Sequence, residues 1–146
     1  MKEFFIDKFE YDFRSNQTWV ELLLQNEDDL SDFVLKSMSH IINVHHIWIA
    51  RITETSIESH TWDRLPIDFW EQLMHDNLRK TIDYLEHFDT TEKVNYHSEE
   101  NVQLSRSTID VLYHILNHSN YHRAQIAMEL RNLDIKPPSF NFITYH

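Results

Sequence analysis

Tyr113–Arg131 reads YHILNHSNYHRAQIAMELR, and three of its histidines, His114, His118 and His122, recur at steps of four. Four residues make about one helical turn, so a helix over this stretch projects all three imidazoles from one side. Ile115, Leu116, Ile126, Met128 and Leu130 supply the apolar content that would bury such a helix. Two imidazoles on one helical face can share a metal ion. A histidine among apolar residues can equally be a core residue bonded to a neighbour, and the spacing by itself leaves both readings open.

Working outward, helical periodicity returns in three more segments. The first runs from near Tyr11 or Ser15 to Gln25, with Trp19, Val20, Leu22, Leu23 and Leu24 on its apolar side. An acidic connector, 26–30, leads to Ser31, a residue type suited to cap a helix, with Asp32 opposing the helix dipole in the first turn. The second helix, DFVLKSMSHIINVHHIWIARI, extends to about Ile52. Its apolar arc is too wide for a surface helix, which makes it central. Residues 53–65 read as a long polar loop carrying Trp62, and Pro66 suits the first turn of a third helix over 67–88. In 89–106 the stretch VNYHSEENVQL fits a short two-stranded ribbon or a plain loop. Ser107 or Thr108 then caps the fourth helix, which reaches about Leu133 and is ended by Pro137 and Pro138. The apolar tail SFNFITYH is expected to fold back. The chain therefore predicts an all-α, antiparallel four-helix bundle with one or more long connections, forming a single domain over 1–146.

Composition narrows the chemistry. With no glycine, tight hairpins are hard to build and the glycine-rich loops that cradle nucleotide phosphates are missing. With no cysteine, any metal must be held by His, Asp, Glu or water, and neither a disulfide nor a thiolate nucleophile can come from the chain. A net charge of −11, with basic residues scattered, argues against direct nucleic-acid binding. The start, MKEFFIDKFEYDF, interleaves acids with aromatics and lacks a secretory signal's apolar core, and no apolar run is long enough for a membrane span. A cytoplasmic protein is the expectation.

A metal site in a bundle draws ligands from facing helices, and the second helix offers His40, His45 and His46. By helical angle His45 lies near the middle of the apolar arc, His40 at its edge, and His46 on the solvent side. Periodicity alone selects His45. SHIINVHHIWIARI and LYHILNHSNYHRAQIAMELR resemble the two signature segments of the DinB-like family of four-helix bundles, which includes S-transferases that use bacillithiol or mycothiol. The resemblance covers most of the chain in helix order and length, and its specific part is these two segments. It implies one divalent ion held by His40, His118 and His122, with His45 and His114 at positions where other residues are tolerated. The chain departs from similar sequences at HSEENVQL, where a glycine is common before the fourth helix, and at Ala124, where glycine is also common.

Three neutral imidazoles with an open position suit a catalytic ion able to acidify bound water or a bound thiol. Zn, Ni, Fe, Co and Mn all accept such donors, and the residues do not select among them. The implied activity is a metal-dependent transferase of thiol S-transferase type, or a hydrolase, acting on a small electrophile with a low-molecular-weight thiol as cosubstrate. The alternative is a non-catalytic metal-binding bundle in stress response. No catalytic acid or base is identifiable from spacing. Gln125 is placed to orient a ligand, Arg123 to pair with a surface acid, and Trp48 and Tyr121 to fill the core. Proton competition should release the ion near the ordinary imidazole pKa of about 6.5. The apolar tail, with Phe140, Phe142, Ile143 and Tyr145, either caps its own bundle or supports a homodimer.

Overall fold

The computed structural model describes residues 1–145, in which four long helices pack side by side and a two-stranded ribbon joins the last two. Helix α1 spans Lys2–Gln25. It starts well before the expected Tyr11 because Phe5 and Phe9 continue the buried spacing that passes through Asp12 and Asn16 to Trp19 and Leu23. Buried Asp12, Ser15 and Asn16 interrupt the apolar pattern and hide that continuity. Helix α2 spans Asp32–Thr53, and the Ser31 hydroxyl accepts a hydrogen bond from the Val34 amide at its start. A single 3-10 turn, Ile67–Phe69, precedes α3, Trp70–Leu85, which is shorter than the expected 67–88.

Strands β1, Lys93–His97, and β2, Gln103–Ser107, form an antiparallel ribbon with Tyr96 opposite Leu104. The fold is therefore mostly helical rather than all-α, and the ribbon reading of VNYHSEENVQL is the one realised. Helix α4 spans Thr108–Asn132 and is capped by Ser107, whose Oγ accepts from the Asp110 amide at 3.1 Å. A last helical turn, α5, covers Phe142–Tyr145. Without glycine, left-handed backbone falls to Glu54, which closes α2, to Asn101 in the ribbon's turn, and to Asp134 just beyond α4, at φ of 54°, 59° and 58°. Asn and Asp tolerate this conformation better than most residues do, while Glu54 bears more of its steric cost.

The core has two apolar clusters. One gathers Trp19, Leu23, Val34, Met38, Trp70, Met74, Ile126 and Leu130, and the other Phe5, Phe9, Leu85, Leu112 and Ile115 with Trp48 and Ile52 at its margin. The first cluster thus collects the end of α1, the starts of α2 and α3, and the end of α4. It follows that α2 runs parallel to α3, and α1 parallel to α4, with α2 packed on both α3 and α4. The expected all-antiparallel arrangement is corrected on this point. A parallel pair requires a return connection along the bundle, and 54–66 supplies it.

Four residues on one side of α2 hold that connection. His46 Nε2 accepts from the Glu58 amide at 3.0 Å, His40 Nδ1 donates to Thr61 O at 2.8 Å, Asn43 Nδ2 donates to Asp63 O at 2.7 Å, and Ser39 Oγ accepts from the Leu65 amide at 3.0 Å. These polar side chains inside an otherwise apolar helix are thus spoken for by loop backbone that would lack partners elsewhere. The tail lies on α1 of the same chain, where Phe140, Phe142 and Tyr145 surround the Tyr11 ring.

Helices α1 and α4 meet through charge. Arg123 Nη1 contacts Asp12 Oδ1 at 2.6 Å, Asn16 Oδ1 at 2.7 Å and Ser119 Oγ at 2.7 Å, and all four residues are buried. The expected surface partner for Arg123 is replaced by this interior one. Removing one member strands the other charge in the interior, at a cost of about 3–5 kcal/mol. Asp12→Ala is accordingly expected to lower stability by that amount in a urea titration, with Asp12→Leu/Arg123→Met recovering most of it. A loss no larger than that of a substitution at exposed Asp32 would count against the buried pair as the joint.

Candidate metal centre

The interface between α2 and α4 brings together three of the histidines singled out by spacing. His40 projects from α2 and His118 and His122 from consecutive turns of α4, and one ligand nitrogen from each lies within 4.8 Å of the other two. His40 Nε2 and His118 Nε2 stand 2.9 Å apart. Two nitrogens bound at 2.0–2.1 Å to one tetrahedral ion are separated by about 3.3 Å, so small side-chain motions bring this set to coordinating distance.

The tautomers are set by what lies behind the rings. His40 Nδ1 faces the Thr61 carbonyl, which can only accept, so the proton sits on Nδ1 and Nε2 carries a lone pair. His122 Nδ1 faces Gln125 Oε1 at 2.8 Å, which fixes the same tautomer. The bare Nε2 of His40 faces His118 Nε2, and the rings of His122 and His118 lie with centroids 4.4 Å apart. Carbonyl and amide oxygens behind metal-ligating imidazoles orient the rings and raise their basicity, and His40 and His122 are held in that way. The donor set fits a divalent ion with imidazole preference and contains no carboxylate.

Burial depresses the pKa of all three. His118 falls to about 3, through desolvation and then the neighbouring His122, His40 and His114. His40 is lowered by burial and by His122 against the opposing pull of the Thr61 bond, and His122 by burial against the Gln125 bond. Each lowered pKa keeps its ring neutral, which is the form that binds a metal.

His45 does not join them. Its Nε2 donates to Thr81 Oγ1 at 2.9 Å on α3, the Thr81 hydroxyl being committed to Asn77 O, and its ring lies 5.5 Å from that of Phe9 on α1. The angular choice fails because the middle of the α2 arc faces α1 and α3, while α4 meets the edge where His40 sits. His114 packs 5.6 Å from both Trp48 and His118 rings and stays outside the group. His46, expected in solvent, is half-buried beneath the crossover. Trp48 is partly buried against Tyr96 and His114, whereas Tyr121, expected in the core, is 59% exposed beside His122.

Two contributors escaped the sequence reading. Thr61 acts through its backbone, for which no side-chain signal exists. Trp62 lies parallel to the His40 ring, with centroids 3.6 Å apart and planes 3° from coincident, yet remains 56% exposed. A tryptophan alone in a polar loop was the available signal.

The sequence profile of the DinB family matches residues 20–146. The chain belongs to the DinB family. This DinB protein is also similar to a relative described as Uncharacterized protein YizA, from Bacillus subtilis (strain 168), at 28% identity over 147 aligned positions that cover 92% of the chain and 91% of the relative. Among the described residues of the DinB protein no helix is long and apolar enough to cross a membrane.

His45 gives a test independent of any ion. Desolvation holds its pKa at about 4, against about 6.5 in an unfolded chain, so between these values the unfolded state binds the extra proton. Stability from this group is complete above about pH 6.5 and declines as pH falls toward 4, by up to about 1.4 kcal/mol per pH unit. In metal-free protein, His45→Leu is expected to flatten the pH 4.5–7 profile of thermal midpoint. An unchanged slope would reject His45 as a source of the acid sensitivity.

Proposed function

We propose that this DinB protein is a single-domain metal-dependent enzyme over 1–146 in which His40, His118 and His122 hold one divalent ion. In this reading it is a transferase of thiol S-transferase type, or a hydrolase, joining a low-molecular-weight thiol or water to a small electrophile. The observation that carries the reading is the convergence of one ligand nitrogen from each of His40, His118 and His122 within 4.8 Å, with Nδ1 of His40 and of His122 held from behind by Thr61 O and Gln125 Oε1. An ion so held keeps its full charge, because every donor is neutral, and supplies the acidification of a bound thiol or water.

The chain's own residues do the rest. The three imidazoles set the position at which a thiolate or hydroxide would form, and Gln125 and the Thr61 carbonyl keep their nitrogens aimed there. Trp62 closes the loop side of the site with its indole against His40, excluding water from that flank. Since the chain has no cysteine, a thiolate nucleophile must arrive as a cosubstrate. The same reading places the protein in the cytoplasm. The tail packs on its own α1, as the cap reading has it, and exposed Tyr121, Met128 and Ile143 offer the apolar surface on which the homodimer reading rests.

His40→Ala, His118→Ala and His122→Ala are each expected to lose bound metal on elemental analysis while keeping their helical circular dichroism, and His45→Ala to retain it. Gln125→Ala should weaken affinity by about 10–100-fold. Wild-type protein loaded with Zn, Ni, Fe, Co or Mn should accelerate conjugation of chlorodinitrobenzene with at least one of bacillithiol, mycothiol or glutathione. Full metal content with no turnover of any thiol or of hydrolytic substrates would leave a metal-binding bundle without catalysis, as in a stress-response binding protein. Full metal content in His40→Ala would reject the ligand set.

The lowered pKa values move the expected acid release. Neutral imidazole persists below pH 6.5, so protons compete with the ion only at pH values under the ordinary histidine range. Metal titrations from pH 7.5 to 4 are expected to show half-release below 6.5, and half-release at or above it would contradict the desolvated triad.

A further inference from the structure

On the side of the bundle where α1 meets α4, away from the α2 interface, the two helices and the C-terminal turn α5 enclose a cleft of about 350 Å³. Its walls are largely aromatic and apolar, with Phe4, Tyr11, Tyr113, Leu116 and Phe142, and both members of the buried pair, Arg123 and Asp12, line it. We propose that this cleft binds an amphipathic monocarboxylate, its carboxylate on the Nε–Nη2 edge of Arg123 and its apolar body along the aromatic walls.

Arg123 is only 5% exposed, and its three hydrogen bonds, to Asp12, Asn16 and Ser119, all use Nη1. Among the described residues Nε and Nη2 make none. No side-chain nitrogen or oxygen shut off from solvent there lacks a partner, so this edge reaches open space, and the space that Arg123 lines is the cleft. The Nε and Nη2 protons are parallel and match the two oxygens of one carboxylate. Asp12 does not compete for them, since Oδ1 is engaged by Nη1 and Oδ2 accepts from Asn16. At the rim Lys8, paired with Asp7, lies over the rings of Phe4 and Phe142, and Asn117 and Asn120 offer further polar contacts. The volume lies in the range of small-molecule sites. Apolar walls with one unused guanidinium edge suit a molecule with a tail and a single acid group, the Asp12 carboxylate beside that edge being already engaged by Nη1 and Asn16.

The test uses full-length protein and three probes. Decanoate has head and tail, 1-decanol the tail alone, and acetate the head alone. Isothermal titration is expected to give sub-millimolar decanoate binding, decanol weaker by about tenfold or more, and no acetate binding, because a charge-assisted pair contributes about 1.5–3 kcal/mol. Binding should be the same with and without bound metal, which separates this cleft from the histidine triad. Asn120→Trp, an exposed substitution that fills the mouth, should abolish binding with metal content unchanged, and Arg123→Lys should weaken it about tenfold. The proposal is overturned by equal affinity for decanol and decanoate, by binding that survives Asn120→Trp, by binding lost with the metal, or by no binding at millimolar decanoate. It is overturned as well if sedimentation shows a dimer that Asn120→Trp disperses and decanoate does not, since a second copy would then own the cleft.

Discussion

The hydrogen bond from His40 Nδ1 to the Thr61 carbonyl is the constraint that ties the candidate site to the scaffold, one of four bonds by which α2 holds the crossover. It satisfies a buried imidazole inside the most apolar helix of the chain. It also pins the crossover that allows α2 and α3 to run parallel, and it turns the lone pair of Nε2 toward α4. A polar group in an apolar interior is costly unless each of its hydrogen-bonding atoms is used. Here one ring nitrogen is spent on scaffold and the other on the site, so the fold and the candidate chemistry share one residue.

Helix α4 separates its two tasks by face. His118 and His122 look toward α2, while their immediate neighbours Ser119 and Arg123 look toward α1, where they join Asp12 and Asn16. The ionic joint on one side therefore holds the register and rotation of the helix that presents two imidazoles on the other. Coordination geometry tolerates displacements of only a fraction of an ångström, and a buried, geometrically demanding charge pair one residue away supplies that accuracy better than apolar packing alone would.

Much of this was readable from residue order. Ser31 and Ser107 marked helix starts, the four-residue step of His118 and His122 placed both on one face, and resemblance singled out His40 over His45. Four things were not readable from the residue pattern itself, each for a physical reason. The beginning of α1 was hidden because Asp12, Ser15 and Asn16 occupy buried positions where an apolar pattern would be sought. The parallel sense of α2 and α3 depends on how a loop is routed, which periodicity does not encode. The contribution of Thr61 is made by a backbone atom common to every residue. The choice between His40 and His45 needed to know which arc of α2 meets α4, and a helix covered on several sides carries no mark of which neighbour covers which arc.

The routing of the crossover bears on how the protein comes to be folded. Contacts between the 54–66 connection and α2 span short stretches of chain and can form as soon as α2 does, whereas His40 and His118 are 78 residues apart and Arg123 and Asp12 are 111 apart. Closing loops of that length is the slow, entropically expensive part of folding. Docking of α4 completes the ionic joint and the histidine cluster in the same event. An ion would meet the complete set of three imidazoles only after that docking, so any ion the cluster holds would favour the folded chain over the unfolded one.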